Sequence, residues 1–185
     1  ILSMVDSVLL LVDAVEGPMP QTRFVTQKAF VRGLNPIVVI NKCDRSSARA
    51  DWAVEQTFDL FDHLGASDRQ LDFPVVYCSA TEGYARRTPL GAELDMDVLF
   101  ETIIEHVPTP EADKNGPFQM QISALDYSTY VGAIGIGRIN RGRVLPNQSA
   151  VIVDQEGQTR PGRILEVFGF KGLTREARDG AEAGD

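Results

Sequence analysis

The chain has 185 residues, 43% apolar and 24% charged, a composition that excludes wholesale disorder and, at about 150 residues per domain, predicts one to two domains. No apolar run approaches the roughly 20 residues a membrane-spanning helix needs, and two cysteines exclude a disulfide framework and suit a reducing cytosol. The net charge of −8 is uneven: residues 1–108 carry 9 Lys/Arg against 16 Asp/Glu, whereas residues 109–185 carry 9 against 10.

Ser7 to Ala14 (SVLLLVDA) is a continuous apolar run with Asp at its end, as expected of a strand buried on both faces. Pro20 to Arg32 predicts a helix, with Pro20 tolerated in the first turn and Gly33 as its stop. Pro36 to Asn41 (PIVVIN) predicts a second buried strand. Asp51 is expected to cap a helix running to Leu64, with Val54, Phe58, Phe61 and Leu64 on its apolar face. Asp51, Glu55 and Asp59 recur every four residues there and read as a solvated stripe. Phe73 to Ser79 (FPVVYCS) predicts a third strand. Asp95 to Val107 predicts a helix, with Met96, Leu99, Phe100, Ile103, Ile104 and Val107 at helical spacing. Strands alternating with helices in this way predict an α/β unit: a parallel sheet with helices on its faces.

Residues 109–117 (TPEADKNGP) have linker composition. Beyond them the hydrophobic period changes to two. Strands are expected over Phe118–Ala124, Tyr130–Ile139, Ser149–Asp154 and Arg163–Phe168, with turns at Asn140–Gly142 and Glu156–Gly157. Short strands so closely spaced predict a small antiparallel barrel over residues 118–185. The division is therefore residues 1–108, a linker at 109–117, and residues 118–185. The chain opens on Ile1-Leu2-Ser3-Met4 directly into a strand and closes on Ala181-Glu182-Ala183-Gly184-Asp185, and is expected to be a piece of a longer protein.

The strongest chemical signal is Asn41-Lys42-Cys43-Asp44, at the carboxyl end of the second strand, where open α/β sheets place their ligands. A carboxylate there can accept from both N1–H and the exocyclic amine of guanine, a donor pair adenine lacks, and each such charge-assisted bond contributes about 1.5–3 kcal/mol. The Lys42 stem can lie along the face of the base, and Asn41 can tie neighbouring loops together. Ser79-Ala80 ends the third strand about 35 residues later, where a backbone N–H can donate to guanine O6. The candidate binding residues are Asn41, Lys42, Asp44, Ser79 and Ala80.

Phosphate chemistry has no such signal. The pattern G-x-x-x-x-G-K-[ST] is absent, so nothing in the sequence cradles phosphates or pairs a Ser/Thr with Mg²⁺. Gly132, Gly135 and Gly137 fall inside a β pattern and mark close backbone approach or bulges. His63 and His106 lie near helix C-termini, where an imidazolium suits the dipole. No catalytic set and no metal-ligand spacing emerges, and Cys43 and Cys78 read as inert thiols beside the base site. Arg138, Arg141, Arg143, Arg160 and Arg163 could meet RNA phosphate or simply keep strand edges solvated.

Val12-Asp13-Ala14, Gly17-Pro18-Met19-Pro20-Gln21-Thr22, Asn41-Lys42-Cys43-Asp44 and Ser79-Ala80 together resemble the second half of the G domain of a translational GTPase. Gln70-Leu71-Asp72-Phe73-Pro74, Gly116–Ser123, Leu125-Asp126-Tyr127, Tyr130-Val131-Gly132 and Ile134–Ile139 resemble the BipA (TypA) family more specifically, essentially along the whole chain. The resemblance implies the C-terminal half of a three-layer P-loop-NTPase-like sheet, followed by the β-barrel of a translation-factor domain 2 that is incomplete at its C-terminus. It implies a cytoplasmic, ribosome-associated GTPase that meets rRNA and ribosomal proteins and acts in ribosome assembly and stress adaptation. GTP/GDP would be the ligand, with Mg²⁺ in the intact protein only and no membrane partner. The phosphate loop, the first switch and the Asp-x-x-Gly stretch would lie before Ile1, so the piece alone is expected to be inactive and its sheet edge exposed. The stretch Glu82–Leu94, with Arg86-Arg87, and Ser46-Ser47 depart from the family pattern. Two other readings stay open: a ribosome- or RNA-binding module with a vestigial nucleotide site, and an elongation-factor-G-like or LepA-like GTPase.

Overall fold

Three parallel strands frame the first part of the chain: β1 (Ser7–Asp13), then α1 (Pro20–Phe30), β2 (Asn35–Asn41), α2 (Ala50–His63), a short α3 (Asp68–Leu71) and β3 (Val75–Ser79). A hairpin strand, β4 (Tyr84–Arg86), and α4 (Asp97–His106) follow. In this computed structural model the described residues are 2–92, 95–110 and 112–185. Ile1, the Glu93 and Leu94 end of the divergent stretch, and Glu111 of the expected linker lie outside them. The described residues form two compact units, 2–109 and 110–185.

The sheet of the first unit runs β1-β2-β3-β4, with β4 antiparallel to β3, so it is mixed where an all-parallel sheet was expected. Its register sets Asp13 beside Asn41 and Ile40 beside Tyr77, aligning three carboxyl ends at one edge of the sheet. One face carries Leu10, Val12, Val38 and Ile40 against Ala53 and Phe61 of α2 and Phe30 of α1. The other carries Ile37, Val39, Val76 and Cys78 against Val98 of α4. Helices on both faces make three layers.

β2 and β3 are buried on both faces throughout their interiors. β1 was expected to be so, yet Leu9 and Leu11 are 42% and 61% exposed. β1 is an edge strand, and its Leu9 and Leu11 lie on the face opposite Leu10 and Val12.

Local signals explain the helix limits. Pro20 opens α1, where a missing N–H costs nothing, and Gly33 closes it at φ +71° with Leu34 N donating to Ala29 O (3.2 Å). α2 begins two residues earlier than expected: Arg49 holds the cap position without a side-chain bond, and Asp51 sits in the first turn, where a carboxylate suits the dipole. The buried stripe of α2 is Ala53, Thr57 and Phe61, with Thr57 donating to the Ala53 carbonyl (2.7 Å). Phe58, expected inside, is exposed. α4 likewise buries Val98 and Thr102 while Phe100 and Ile104 face out. In each helix the buried stripe recurs every fourth residue, so side chains one or two positions off it, such as Phe58, Phe100 and Ile104, turn outward. α3 was not foreseen; Ser67 and Gln70 form a reciprocal cap, and Gln70 Nε2 donates to the Leu34 carbonyl (3.0 Å).

The second unit holds β5 (Gln119–Ser128), β6 (Gly132–Arg141), β7 (Arg143–Val144), β8 (Ser149–Val153), β9 (Thr159–Arg163), β10 (Val167–Lys171), β11 (Thr174–Arg178) and β12 (Ala181–Glu182). Among the described residues they pair as four two-stranded antiparallel ladders, β5–β6, β8–β9, β10–β11 and β12–β7, where a barrel was expected. Its core is small: Ile139, Val144, Val167 and Ala183, with Phe118 and Met120 against them, and β8 and β9 contribute nothing to it. The expected fourth strand, Arg163–Phe168, is instead the junction of β9 and β10. Ala181–Asp185 is not a loose ending: Ile139 N donates to Asp185 O and Gly184 N to Ile139 O (3.0 and 2.9 Å). Nor is all of 109–117 a free linker, because Asp113 O accepts from Gly142 N (2.8 Å) and Lys114 pairs with Glu182. A Cβ on Gly137 would meet the Gln121 carbonyl across the ladder, beside a register shift, so this glycine marks a close approach.

Candidate functional site

The carboxyl ends of β1, β2 and β3 bring together all five residues singled out in the sequence, and Asn41 is the hub. Its Oδ1 accepts from the Lys42 amide (2.8 Å) and from the Ala80 amide on the neighbouring loop (3.1 Å), with the Cys78 thiol at 3.6 Å. One side chain thus staples the loop after β2 to the loop after β3. A second bond reinforces it: Cys43 N donates to Cys78 O (3.1 Å), continuing the ladder past the end of the strands.

Lys42 has φ +67°, a left-handed conformation uncommon for a residue with a Cβ. It turns the chain sharply out of the sheet, and Arg45 N donates back to Lys42 O (3.2 Å) to close the turn. The turn leaves Asp44 fully exposed at the lip of the site. The Ser79 hydroxyl, which hydrogen-bonds the Asp44 carboxylate, holds that carboxyl below its usual range, against a small opposing effect of burial. Ser79 itself is completely buried, and its Oγ also accepts from Glu82 N (3.2 Å). Asp44 is therefore an ionised acceptor, aimed by a fixed neighbour and open to solvent.

A backbone N–H of Ser79-Ala80 was expected to face guanine O6; the Ala80 amide donates to Asn41. The carboxylate side of the site is formed, while this donor is occupied within the protein.

Sequence reasoning assigned no role to Asp13. Its Oδ2 lies 2.5 Å from Lys42 Nζ, and its Oδ1 accepts from the Val15 amide (2.8 Å) and, at 3.4 Å, from Glu16. Burial pushes the Asp13 carboxyl up; the Lys42 ammonium and the two amides more than reverse this and leave it below the usual range. The available signal was an acid closing an apolar strand that neighbours β2.

The loop after β1 is anchored from α2. Arg49 N donates to Ala14 O (2.8 Å), its guanidinium donates to Val15 O (3.1 Å) and it stacks over the Trp52 ring at 3.8 Å. Gly17, at φ +73°, leaves room for that ring, which a Cβ would approach to 3.1 Å.

The two thiols belong to opposite faces of the sheet, Cys43 against the α2 side and Cys78 against the α4 side. Burial raises both, Cys78 to about 11, so both are protonated at neutral pH. His63 and His106 each donate from Nδ1 to a carbonyl one turn back, Asp59 O (2.6 Å) and Thr102 O (3.0 Å). Among the described residues no group of three or more His, Cys, Asp or Glu converges. Of the five arginines singled out between Arg138 and Arg163, Arg141 donates to Pro117 O, Arg143 pairs with Glu182 and Arg163 donates to Asn147 O.

The family model for the elongation factor Tu GTP binding domain matches residues 1–109. Proteins named large ribosomal subunit assembly factor BipA match all 185 residues: that of Escherichia coli is 60% identical, that of Haemophilus influenzae 61% and that of Buchnera aphidicola 54%. The chain spans only 30% of the length of each. Among solved structures, the bacterial selenocysteine-specific elongation factor EF-Sec superposes over 99% of this chain and 28% of its own, with TM-score 0.67 and 21% identity, a likeness of fold.

Proposed function

The chain belongs to the family of the elongation factor Tu GTP binding domain, and from that membership we propose that residues 1–108 are the guanine-reading half of a translational GTPase of BipA type. The observation that carries this reading is the Asp44 carboxylate, ionised, exposed and oriented by the buried Ser79 hydroxyl, beside a loop pair stapled by Asn41. In this reading Asp44 accepts from guanine N1–H and the exocyclic amine, and the Lys42 stem covers one face of the base. Guanine O6 takes the Ala80 amide in competition with Asn41.

The intact protein hydrolyses GTP during assembly of the large ribosomal subunit and in stress adaptation, in the cytoplasm, with rRNA and ribosomal proteins as partners. Residues 118–185 are its second, β-rich domain. Support for the ribosomal partner is the whole-length similarity to proteins named as assembly factors. No described helix is long and apolar enough to cross a membrane. The sequence lacks a phosphate loop, and in this reading these 185 residues contribute base selection and not the chemical step. The isolated chain then hydrolyses no GTP and binds it more weakly than about 1 mM, roughly 4 kcal/mol.

The internal bonds of Arg141, Arg143 and Arg163 weigh against a purely RNA-binding role.

The deciding experiment is Asp44→Asn in the full-length protein, with GTP and XTP compared by steady-state hydrolysis. An amide can donate to the C2 carbonyl of xanthine and no longer matches guanine, so preference shifts toward XTP by at least about tenfold, the worth of one charge-assisted bond. An unchanged GTP-over-XTP ratio rejects Asp44 as the base reader.

A further inference from the structure

We propose that Asp13 is a positioning residue of the base site: its carboxylate pins the Lys42 ammonium so that the lysine stem is laid across the end of β1 before any base arrives. The inference deepens the guanine-reading role proposed above and rests on it.

Three features of the geometry carry it. The register sets Asp13 directly beside Asn41, so the acid and the loop that bears Lys42 leave the sheet side by side. The Asp13 carboxylate is oriented by its own turn, because Oδ1 accepts from Val15 N and Glu16 N, which leaves Oδ2 for the ammonium at 2.5 Å. The Asp13 side chain is only 13% exposed against 43% for Lys42, so the fixed partner lies in the protein and the stem lies in the open.

A free lysine has four rotatable bonds, and ordering them when a ligand binds costs entropy. An ion pair already formed removes that cost. The positive φ of Lys42 sends its side chain back over the sheet edge, toward Asp13, rather than along the strand. A stem held this way presents methylene groups to the flat face of a base. That contact does not depend on which exocyclic groups the base carries, in contrast to the edge contacts of Asp44.

The test is calorimetric binding of GDP and IDP to the full-length protein. IDP lacks the 2-amine, so the GDP/IDP ratio reports Asp44, while affinity for both reports the stem. Asp13→Asn keeps an Oδ1 acceptor for the turn and loses the charge. It is expected to weaken GDP and IDP equally, by about three- to tenfold, with the ratio unchanged. Lys42→Ala weakens both further, and the double variant binds no more weakly than Lys42→Ala alone. Lys42→Met, which keeps the stem and removes the ammonium, reproduces the Asp13→Asn loss without touching the Asp13 turn, and so tests the pin even where Asp13→Asn folds poorly. Wild-type affinity in Asp13→Asn or Lys42→Met, or an Asp13→Asn penalty that persists in the double variant, overturns the inference. If Lys42→Ala itself leaves GDP binding unchanged, the base-site reading fails as well; if only the pin variants do, it stands and the role of Asp13 falls.

Discussion

Replacing Asn41 with alanine separates the loop staple from the sheet that carries it. The Asn41 Oδ1 accepts two backbone amides, Lys42 at 2.8 Å and Ala80 at 3.1 Å. At about 0.5–1.5 kcal/mol net for each bond, and with the exposed Ala80 amide able to turn to water, the loss comes to about 1–2 kcal/mol. The Cys78 thiol at 3.6 Å adds little, because S–H is a weak donor. The cost is local. The β1–β2 ladder does not use the Asn41 side chain, and Cys43 N still reaches Cys78 O. Amide hydrogen exchange followed by NMR, with a urea melt for global stability, resolves the two contributions. In Asn41→Ala the Lys42 and Ala80 amides lose about tenfold in protection beyond any loss shared with Val38–Ile40, matching about 1.4 kcal/mol of local opening. Asn41→Asp keeps an acceptor oxygen and retains most of that protection. Equal protection of both amides in Asn41→Ala and the parent, or an equal loss in Asn41→Asp, refutes the staple.

Phe61 is fully buried and meets Phe30 and Phe73 edge-to-face, both with centroids 5.0 Å apart, so Phe61→Ala is expected to cost about 3–5 kcal/mol in a denaturant melt. The Asp13 carboxyl is held below its ordinary value of 3.8, so its stabilising contribution is complete above that pH and is lost as pH falls through the lower folded value. The stability gap between Asp13→Asn and the parent therefore narrows on acidification below about pH 4, read from urea midpoints across a pH series; a constant gap contradicts the ion pair.

Which parts of this were legible in advance follows the range of the interactions. The apolar runs Ser7–Ala14 and Pro36–Asn41, the Pro20 and Gly33 limits of α1 and the strand-end position of Asn41–Asp44 are local or periodic properties, and the observed elements lie within a few residues of them. The candidate residues could be placed near one another because parallel strands bring their carboxyl ends to one edge. What stayed hidden depended on neighbours. The exposure of Leu9 and Leu11 reflects the edge position of β1, and the inward face of α2 is the stripe Ala53, Thr57 and Phe61. The ladders of the second unit depend on pairings between short strands whose alternation fits more than one partner.

Local pattern along the chain is enough for the α/β order of the first unit, the change of period after residue 117 and the chemical types gathered at the strand ends. Which donor meets which acceptor emerges only from the packed chain: Ser79 orients Asp44, Asn41 takes the Ala80 amide, and Asp13 holds Lys42. The reason is physical. Periodicity encodes which face of an element is buried, whereas a hydrogen bond between residues 29 or 39 positions apart exists only once the sheet register has set them side by side.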